Sequence, residues 1–267
     1  MMNFRIPLEH GIDFVGDVHA CYDELIEGME RLGYQKQVDG TYVHPNQRKI
    51  LFLGDMMSRG PYSLRVMRLV MDLVKNNLAY AIDGNHNWKI ARYLMGRNVK
   101  MAHGDERFVE ELKLYEKENG KQKTEAFKEE MKEFLLSLPS HYIITDKGKD
   151  VAVAVHAGIR DQDIGKDSPA IRSFTRYGDT AGLDEKGKPI RRDWTIHHHN
   201  DLLIIWGHDP SPSAKVINNT INLDQGCVFG GRLTFLRYPE MEIVQVDAKE
   251  NYANDQEHPI SKHFGRV

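Results

Sequence analysis

Five short apolar runs, each opening into a glycine-containing polar loop, constrain this chain more than any other feature of its sequence. Ile12 to Val15 leads into Gly16-Asp17-Val18-His19, Ile50 to Leu53 into Gly54-Asp55-Met56-Met57-Ser58-Arg59-Gly60, and Leu78 to Ile82 into Gly84-Asn85-His86-Asn87. Later, Val151 to Val155 leads into His156-Ala157-Gly158, and Leu202 to Trp206 into Gly207-His208. Short apolar runs bounded by glycine have strand length. Between the early runs lie amphipathic stretches: Tyr22 to Leu32, with Leu25, Ile26, Met29 and Leu32 on one face, and about Pro61 to Lys75. Pro61 falls near a first helical turn, where its missing N–H costs nothing. The rhythm is that of βα units. Open α/β sheets bind ligands where the carboxyl ends of strands meet loops, so five such loops can converge on one place.

The remainder is less regular. Glu106 to Leu138 is strongly charged and helical, broken at Glu118-Asn119-Gly120-Lys121, which predicts a helical hairpin with an exposed outer face. It reads either as a cap over a site or as a solvated surface insertion. Tyr142 to Thr145 and Val151 to Val155 predict a β-hairpin turning at Lys147-Gly148-Lys149-Asp150. Arg160 to Asn200 is polar with little periodicity, the mark of a functional or mobile loop. Strands are expected at Thr220 to Leu223, Leu233 to Tyr238 and Glu242 to Val246, and the polar tail from Ala248 to Val267 is expected to fray. The expected organisation is one domain over residues 1–247, with a helical insertion at about 104–138 and a tail over 248–267.

Bulk properties narrow the function. A chain of 267 residues that is 40% hydrophobic can bury one sizeable core. Its 36 Lys and Arg nearly balance 39 Asp and Glu, leaving −3, so it lacks the footprint of a dedicated nucleic-acid binder. No apolar run approaches a membrane span, and Met1 to Pro7 has no signal-peptide core. Cys21 and Cys227 form neither a disulfide scaffold nor a paired-cysteine zinc pattern, and read as buried small apolar residues in a reducing cytoplasm.

The chemistry lies in the five loops. Asp17, His19, Asp55, Asn85, His156 and His208 comprise three imidazoles, two carboxylates and an amide. This mixed nitrogen and oxygen set suits manganese, iron, nickel, cobalt or zinc. Two ions need a shared ligand, and Asp55 is the candidate bridge. Ions about 3.5–4 Å apart form the clamp used for in-line displacement at phosphorus.

These loops resemble those of the calcineurin-like metallophosphoesterases, whose signatures read Gly-Asp-x-His, Gly-Asp-x-x-Asp-Arg-Gly, Gly-Asn-His, His-Ala-Gly and Gly-His, and all five occur here in order. Further segments are similar to the PrpE-type bis(5′-nucleosyl)-tetraphosphatases and to the phosphatase module of bacterial polynucleotide kinase-phosphatases. They include Gly96-Arg97-Asn98-Val99, His103-Gly104, Tyr177-Gly178-Asp179-Thr180, Arg191-Arg192-Asp193-Trp194 and Asn222 to Gly231. The resemblance implies an α/β fold in which two mixed β-sheets are sandwiched between helices. It implies that Asp17, His19 and Asp55 hold one metal, that Asp55, Asn85, His156 and His208 hold the other, and that water activated by the pair is the nucleophile. It makes Arg59 the phosphoryl clamp, with Arg192 or its neighbour Arg191 as a second, and His86 the acid that protonates the leaving oxygen. The implied reaction is hydrolysis of dinucleoside polyphosphates such as diadenosine tetraphosphate, asymmetrically to ATP and AMP. A phosphomonoesterase acting on phosphoproteins or RNA ends is the alternative, and a catalytically quiet binding protein a third class.

Ala20 and Asn87 depart mildly from the family pattern, which has glycine and often glutamate there. Ser58 departs more: it stands where the family places the carboxylate that orients the histidine corresponding to His86. An acid without that carboxylate should be weaker, so the expectation is a bias toward good leaving groups, unless Ser58 itself donates a substituting hydrogen bond. Other features are set aside. Gly182 to Lys188 mimics a phosphate loop but is followed by Pro189, and His197-His198-His199 is read as exposed loop. His141 and the other histidines outside motifs are read as surface or satisfied, and His103 as lining the site or ending a segment.

Overall fold

The early apolar runs are continuous rather than alternating because each strand is covered on both faces. Ile12 and Phe14 of the Ile12–Val15 strand join one apolar cluster while Val15 joins another; in Lys49–Phe52, Leu51 joins the first while Ile50 and Phe52 join the second. Because side chains alternate along a strand, a one-residue slip would exchange the two clusters, which pins the register. Asp13, fully buried in the same strand, is neutralised by the Arg48 and Arg237 Nε groups, each 3.1 Å from its Oδ1.

The computed structural model describes residues 4–102, 104–185 and 189–265. One six-stranded sheet contains Ala79–Ala81, Lys49–Phe52 and Ile12–Val15 as parallel neighbours, followed by antiparallel Arg232–Tyr238, on which Asp224–Gln225 and Glu242–Asp247 pair. The second runs Arg5–Pro7, His141–Asp146, Lys149–Val155, Leu203–Trp206, Thr220–Asn222 and Val216–Ile217. Its three central strands from Lys149 to Asn222 are parallel, so their carboxyl ends open at one edge. The first cluster, with Phe14, Leu51, Ile144, Ala154 and Ile205, lies between the sheets; the second lies between the first sheet and helices Tyr22–Arg31 and Ser63–Lys75. This is the expected two-sheet α/β sandwich.

Elsewhere the structure differs from the expectations. The Gly84–Asn87 segment is the cap and first turn of a helix, Asn85–Leu94, with Ile90 and Ala91 buried. Arg160 to Asn200 is not one loop. It holds a helix, Pro169–Tyr177, capped by the Ser168 hydroxyl, and an antiparallel pair, Asp179–Leu183 with Pro189–Arg192. That pair is almost wholly exposed, so no apolar alternation marks it. The tail is anchored rather than frayed: Ala248, Tyr252 and Ile260 are buried, and the Tyr252 hydroxyl donates to buried Glu24 at 2.7 Å. The charged stretch does form two helices, Glu106–Asn119 and Lys121–Ser137, and Phe108, Leu112, Phe127, Met131 and Leu135 sink into the cluster under the first sheet. Of the three consecutive histidines, His198 is buried, its ring held by Asp161 at 2.6 Å and the Leu202 carbonyl at 2.8 Å. His103 and Lys186 to Lys188 lie outside the described residues.

Candidate metal centre

The six sequence-predicted donors meet at the carboxyl edge of the two sheets. Asp55 sits at their middle. Its Oδ2 lies 3.8 Å from His19 Nε2 on one side and 3.5 Å from His156 Nε2 on the other. Its Oδ1 accepts the His86 backbone N–H at 2.9 Å, one of the donors left unpaired at the start of helix Asn85–Leu94. The helix N-terminus thereby favours the ionised carboxylate.

Backbone carbonyls fix the two imidazoles. His156 Nδ1 donates to the Leu53 carbonyl at 2.8 Å and His19 Nδ1 to the Met57 carbonyl at 3.2 Å. A carbonyl only accepts, so each ring carries its proton on Nδ1 and turns the Nε2 lone pair into the site. His156 Nε2 is 2.9 Å from Asn85 Oδ1 and 3.1 Å from His208 Nδ1, and His19 Nε2 is 3.8 Å from Asp17 Oδ2. The Asp17 Oδ1 in turn accepts the His208 backbone N–H at 3.0 Å. A Cβ on Gly207 would come within 2.3 Å of that Asp17 oxygen, so only glycine permits the approach. Asp55, His19, Ser58, Arg59 and His208 all hold positive φ, a concentration of backbone strain at the loops that carry the donors.

The electrostatics are those of a cation site. Burial pushes the Asp17 carboxyl well above its usual range, and Asp224 and Asp55 add repulsion. Burial likewise pushes Asp224 up to about 7, with Asp209 and Asp55 contributing. Burial also acts to raise Asp55, but His156, His86 and His19 overcome it and hold this carboxylate below its usual range. The imidazoles are kept neutral, His19 lowered to about 3 and His156 and His208 also lowered, in each case first by burial. Lone pairs facing one another 2.9 to 3.8 Å apart match ligand atoms that share an ion at ~2.0–2.2 Å. A divalent cation relieves the carboxylate repulsion and satisfies these lone pairs together, so the residues fit the group.

Around the donors stand the substrate candidates. His86 has a ligand atom within 4.8 Å of those of His19 and Asp55, and its ring meets that of His19 edge-on with centroids 4.9 Å apart. Its Nδ1 is bonded to Asp105 Oδ1 at 2.9 Å. Burial acts to raise Asp105, but hydrogen bonds from His86 and Lys89 hold it down at about 2. The expectation that His86 lacks a carboxylate is therefore corrected, and so is the thought that Ser58 might substitute, since the buried Ser58 Oγ has no hydrogen-bond partner. The buried Arg59 Nε is also unpartnered, with the guanidinium 5.3 Å from the Phe229 ring centre. Arg191 is paired with Asp209, and Arg192 is exposed on the rim of a neighbouring cavity.

Two cavities adjoin the centre. One, about 400 Å³, is basic, lined by Arg59, His86, Lys89, Arg92, Lys100 and Tyr177. The other, about 420 Å³, is lined by Tyr177, Arg191, Arg192, Trp194, Trp206 and His208. The rings of Trp194 and Trp206 are 5.4 Å apart, and the Trp194 Nε1 is buried without a partner. Sequence reasoning missed Asp105, Asp224, Lys89 and these cavities. Asp224 does lie in the Asn222–Gly231 segment singled out by resemblance, and Lys89 and Arg92 follow His86 at helical spacing once that segment is known to be a helix.

The sequence profile of the calcineurin-like phosphoesterases matches residues 11–244. The chain belongs to this family. Among curated metallophosphoesterase relatives, proteins named bis(5′-nucleosyl)-tetraphosphatase PrpE [asymmetrical] are similar over most of their length. That of Halalkalibacterium halodurans is 41% identical over 247 residues, covering 91% of this chain and 96% of the relative. That of Anoxybacillus flavithermus is 43% identical over 249 residues, covering 93% and 98%. Among solved folds, a chain described provisionally as a diadenosine tetraphosphatase superposes with a TM-score of 0.60 at 20% identity, covering 91% of this chain and 96% of the other. A serine/threonine phosphatase from Saccharomyces cerevisiae gives 0.57 at 15% identity, covering 91% and 82%. As a metallophosphoesterase the chain uses divalent ions, and the donors around Asp55 are candidates to hold them. No helix among the described residues is long and apolar enough to cross a membrane.

Proposed function

We propose that this metallophosphoesterase hydrolyses dinucleoside polyphosphates such as diadenosine tetraphosphate asymmetrically, to ATP and AMP. The reading is supported by relatives of that name at about 40% identity. The observation that carries it is the pair of unlike cavities that adjoin the donors, one basic and lined by Asn85 and His86, the other aromatic and lined by His208. Asp17, His19 and Asp55 would hold one ion and Asp55, Asn85, His156 and His208 the other, drawn from manganese, nickel, iron, cobalt or zinc. Bound there, such ions supply electrophilic activation of a phosphoryl group and of water.

The protein's own groups set the direction of cleavage. His86 lines the basic cavity, so the oxygen it protonates departs on that side. Arg59, Arg92 and Lys100 match a triphosphate, which makes ATP the leaving group. The aromatic cavity then receives the nucleoside whose phosphorus is attacked, with Trp194, Trp206 and Tyr177 against the base and Arg191 or Arg192 near its phosphate. Water adds its oxygen to that phosphorus, the bridging P–O bond breaks, and His86 gives its proton to the departing oxygen. A nucleotide substrate and the burial of Cys21 and Cys227 support a cytoplasmic setting, and the family match over residues 11–244 supports one catalytic domain over residues 1–247.

Incubation with diadenosine tetraphosphate and manganese or nickel in ¹⁸O-water, followed by ion-exchange chromatography and mass spectrometry, tests this. ATP and AMP should appear in equal amounts with the label in AMP. Label in ATP would reverse the assignment of the cavities. Two ADP, or orthophosphate from monoesters with the dinucleotide untouched, would refute the proposed activity.

A further inference from the structure

We propose that Asp105, at the start of the helical hairpin, is the positioning carboxylate of His86, taking over from a different segment the task left vacant by Ser58. The inference rests on reading His86 as the leaving-group acid. Ser58 is buried with its hydroxyl unpartnered, so it gives the histidine ring no hydrogen bond. Asp105 is fully buried, with Oδ1 2.9 Å from His86 Nδ1 and Oδ2 paired with the Lys89 ammonium. Lys89 stands one turn after His86 on the same helix and also donates to the Ala102 carbonyl at 3.2 Å. A carboxylate buried in this way needs a cation beside it. Lys89 supplies one at the oxygen the histidine does not use.

The segment that carries Asp105 is locked to the loop that lacks the aspartate. The Arg59 backbone N–H donates to the Gly104 carbonyl at 3.0 Å, and Arg107 Nη1 donates to the Arg59 carbonyl at 2.8 Å. Gly104 holds φ at +93°, and a Cβ there would come within 2.6 Å of the Arg59 Cα. The hairpin start is thus pressed against the loop bearing Ser58 and Arg59. An acceptor at Nδ1 holds the proton on that nitrogen, leaves Nε2 for the leaving oxygen and stabilises the imidazolium. The acid is then complete, and the bias toward good leaving groups expected from Ser58 alone disappears. The hairpin is part of the site's support.

Four proteins decide the matter: wild type, Asp105→Asn, Ser58→Asp and the double variant. With metal supplied, Asp105→Asn should lose roughly 10²–10⁴-fold in kcat/KM on phosphate esters of poor leaving groups, and much less on nitrophenyl phosphates. Ser58→Asp in the Asp105→Asn background should restore much of the loss. A loss equal for all leaving groups, or no rescue, would overturn the proposal. Imidazole ¹⁵N spectra of the metal-free proteins test the pairing without turnover, and Asp105→Asn should move the His86 Nδ1 resonance. An unmoved resonance refutes Asp105 as the partner. A moved resonance with unchanged rates refutes His86 as the acid, and with it the proposal.

Discussion

Acidification should destabilise this protein through His141, a buried histidine with no part in the metal centre. Its ring stacks on Phe4 with centroids 4.5 Å apart, and its Nε2 accepts the Gly165 backbone N–H at 2.8 Å while Nδ1 meets the Ser140 hydroxyl at 2.9 Å. Protonating Nε2 would set two donors face to face inside the protein. Burial, with Arg172 adding to it and Asp167 opposing, lowers the group from 6.5 to about 4. The folded pKa is thus depressed. The unfolded chain takes up the proton first, and the stability tied to neutral His141 is complete above pH 6.5 and is lost as pH falls toward 4. At pH 5 linkage gives a loss of about 2 kcal/mol relative to pH 7.5. The assay is urea denaturation of metal-free protein at both pH values, followed by tryptophan fluorescence, alongside His141→Gln, whose amide oxygen can still accept from Gly165. The variant should lose about 2 kcal/mol less than wild type over that interval. Parallel losses in the two proteins would refute the reasoning.

Other expectations follow from the site. Tyr177→Ala should raise KM for diadenosine tetraphosphate by roughly 5- to 100-fold through lost base stacking and leave hydrolysis of a small aryl phosphate nearly unchanged; comparable damage to both substrates would remove Tyr177 from the nucleoside cavity. Arg59→Lys should lower kcat/KM by roughly 10²-fold, because an ammonium cannot reproduce the two-pronged contact with phosphoryl oxygens, and steady-state kinetics would detect it. Saturating manganese should raise thermal stability, by about 2.7 kcal/mol per site at a hundredfold excess over Kd, and Asp55→Asn should abolish most of that gain. Calorimetry with and without chelator measures it, and a full gain in the variant would exclude Asp55 from metal binding.

The convergence of the candidate metal donors was legible in the sequence because each lies within a few residues of a strand end, where local chain direction alone sends it to one edge of a sheet. Glycines beside them reinforce the signal, as at Gly207, whose missing Cβ admits Asp17. The sandwich itself was legible from apolar runs covered on both faces. The helix Pro169–Tyr177 and the exposed pair Asp179–Leu183 and Pro189–Arg192 were not, since one is short and the other buries almost nothing that would imprint a period. The tail misled in the opposite sense: its composition is polar, yet a few buried contacts, Tyr252 and Ile260 among them, suffice to dock it.

By itself the sequence determined the βα rhythm, the donor types, the glycines that admit them and the replacement of an expected aspartate by Ser58. Whether His86 has a carboxylate partner was decided only by tertiary structure. That pairing depends on how a hairpin buries Phe108 and Leu112 against the helices beside it, and so on which of its residues is carried to the histidine. Asp105 carries no local signal of its role: its two partners, His86 and Lys89, belong to another helix, and packing alone brings the three together.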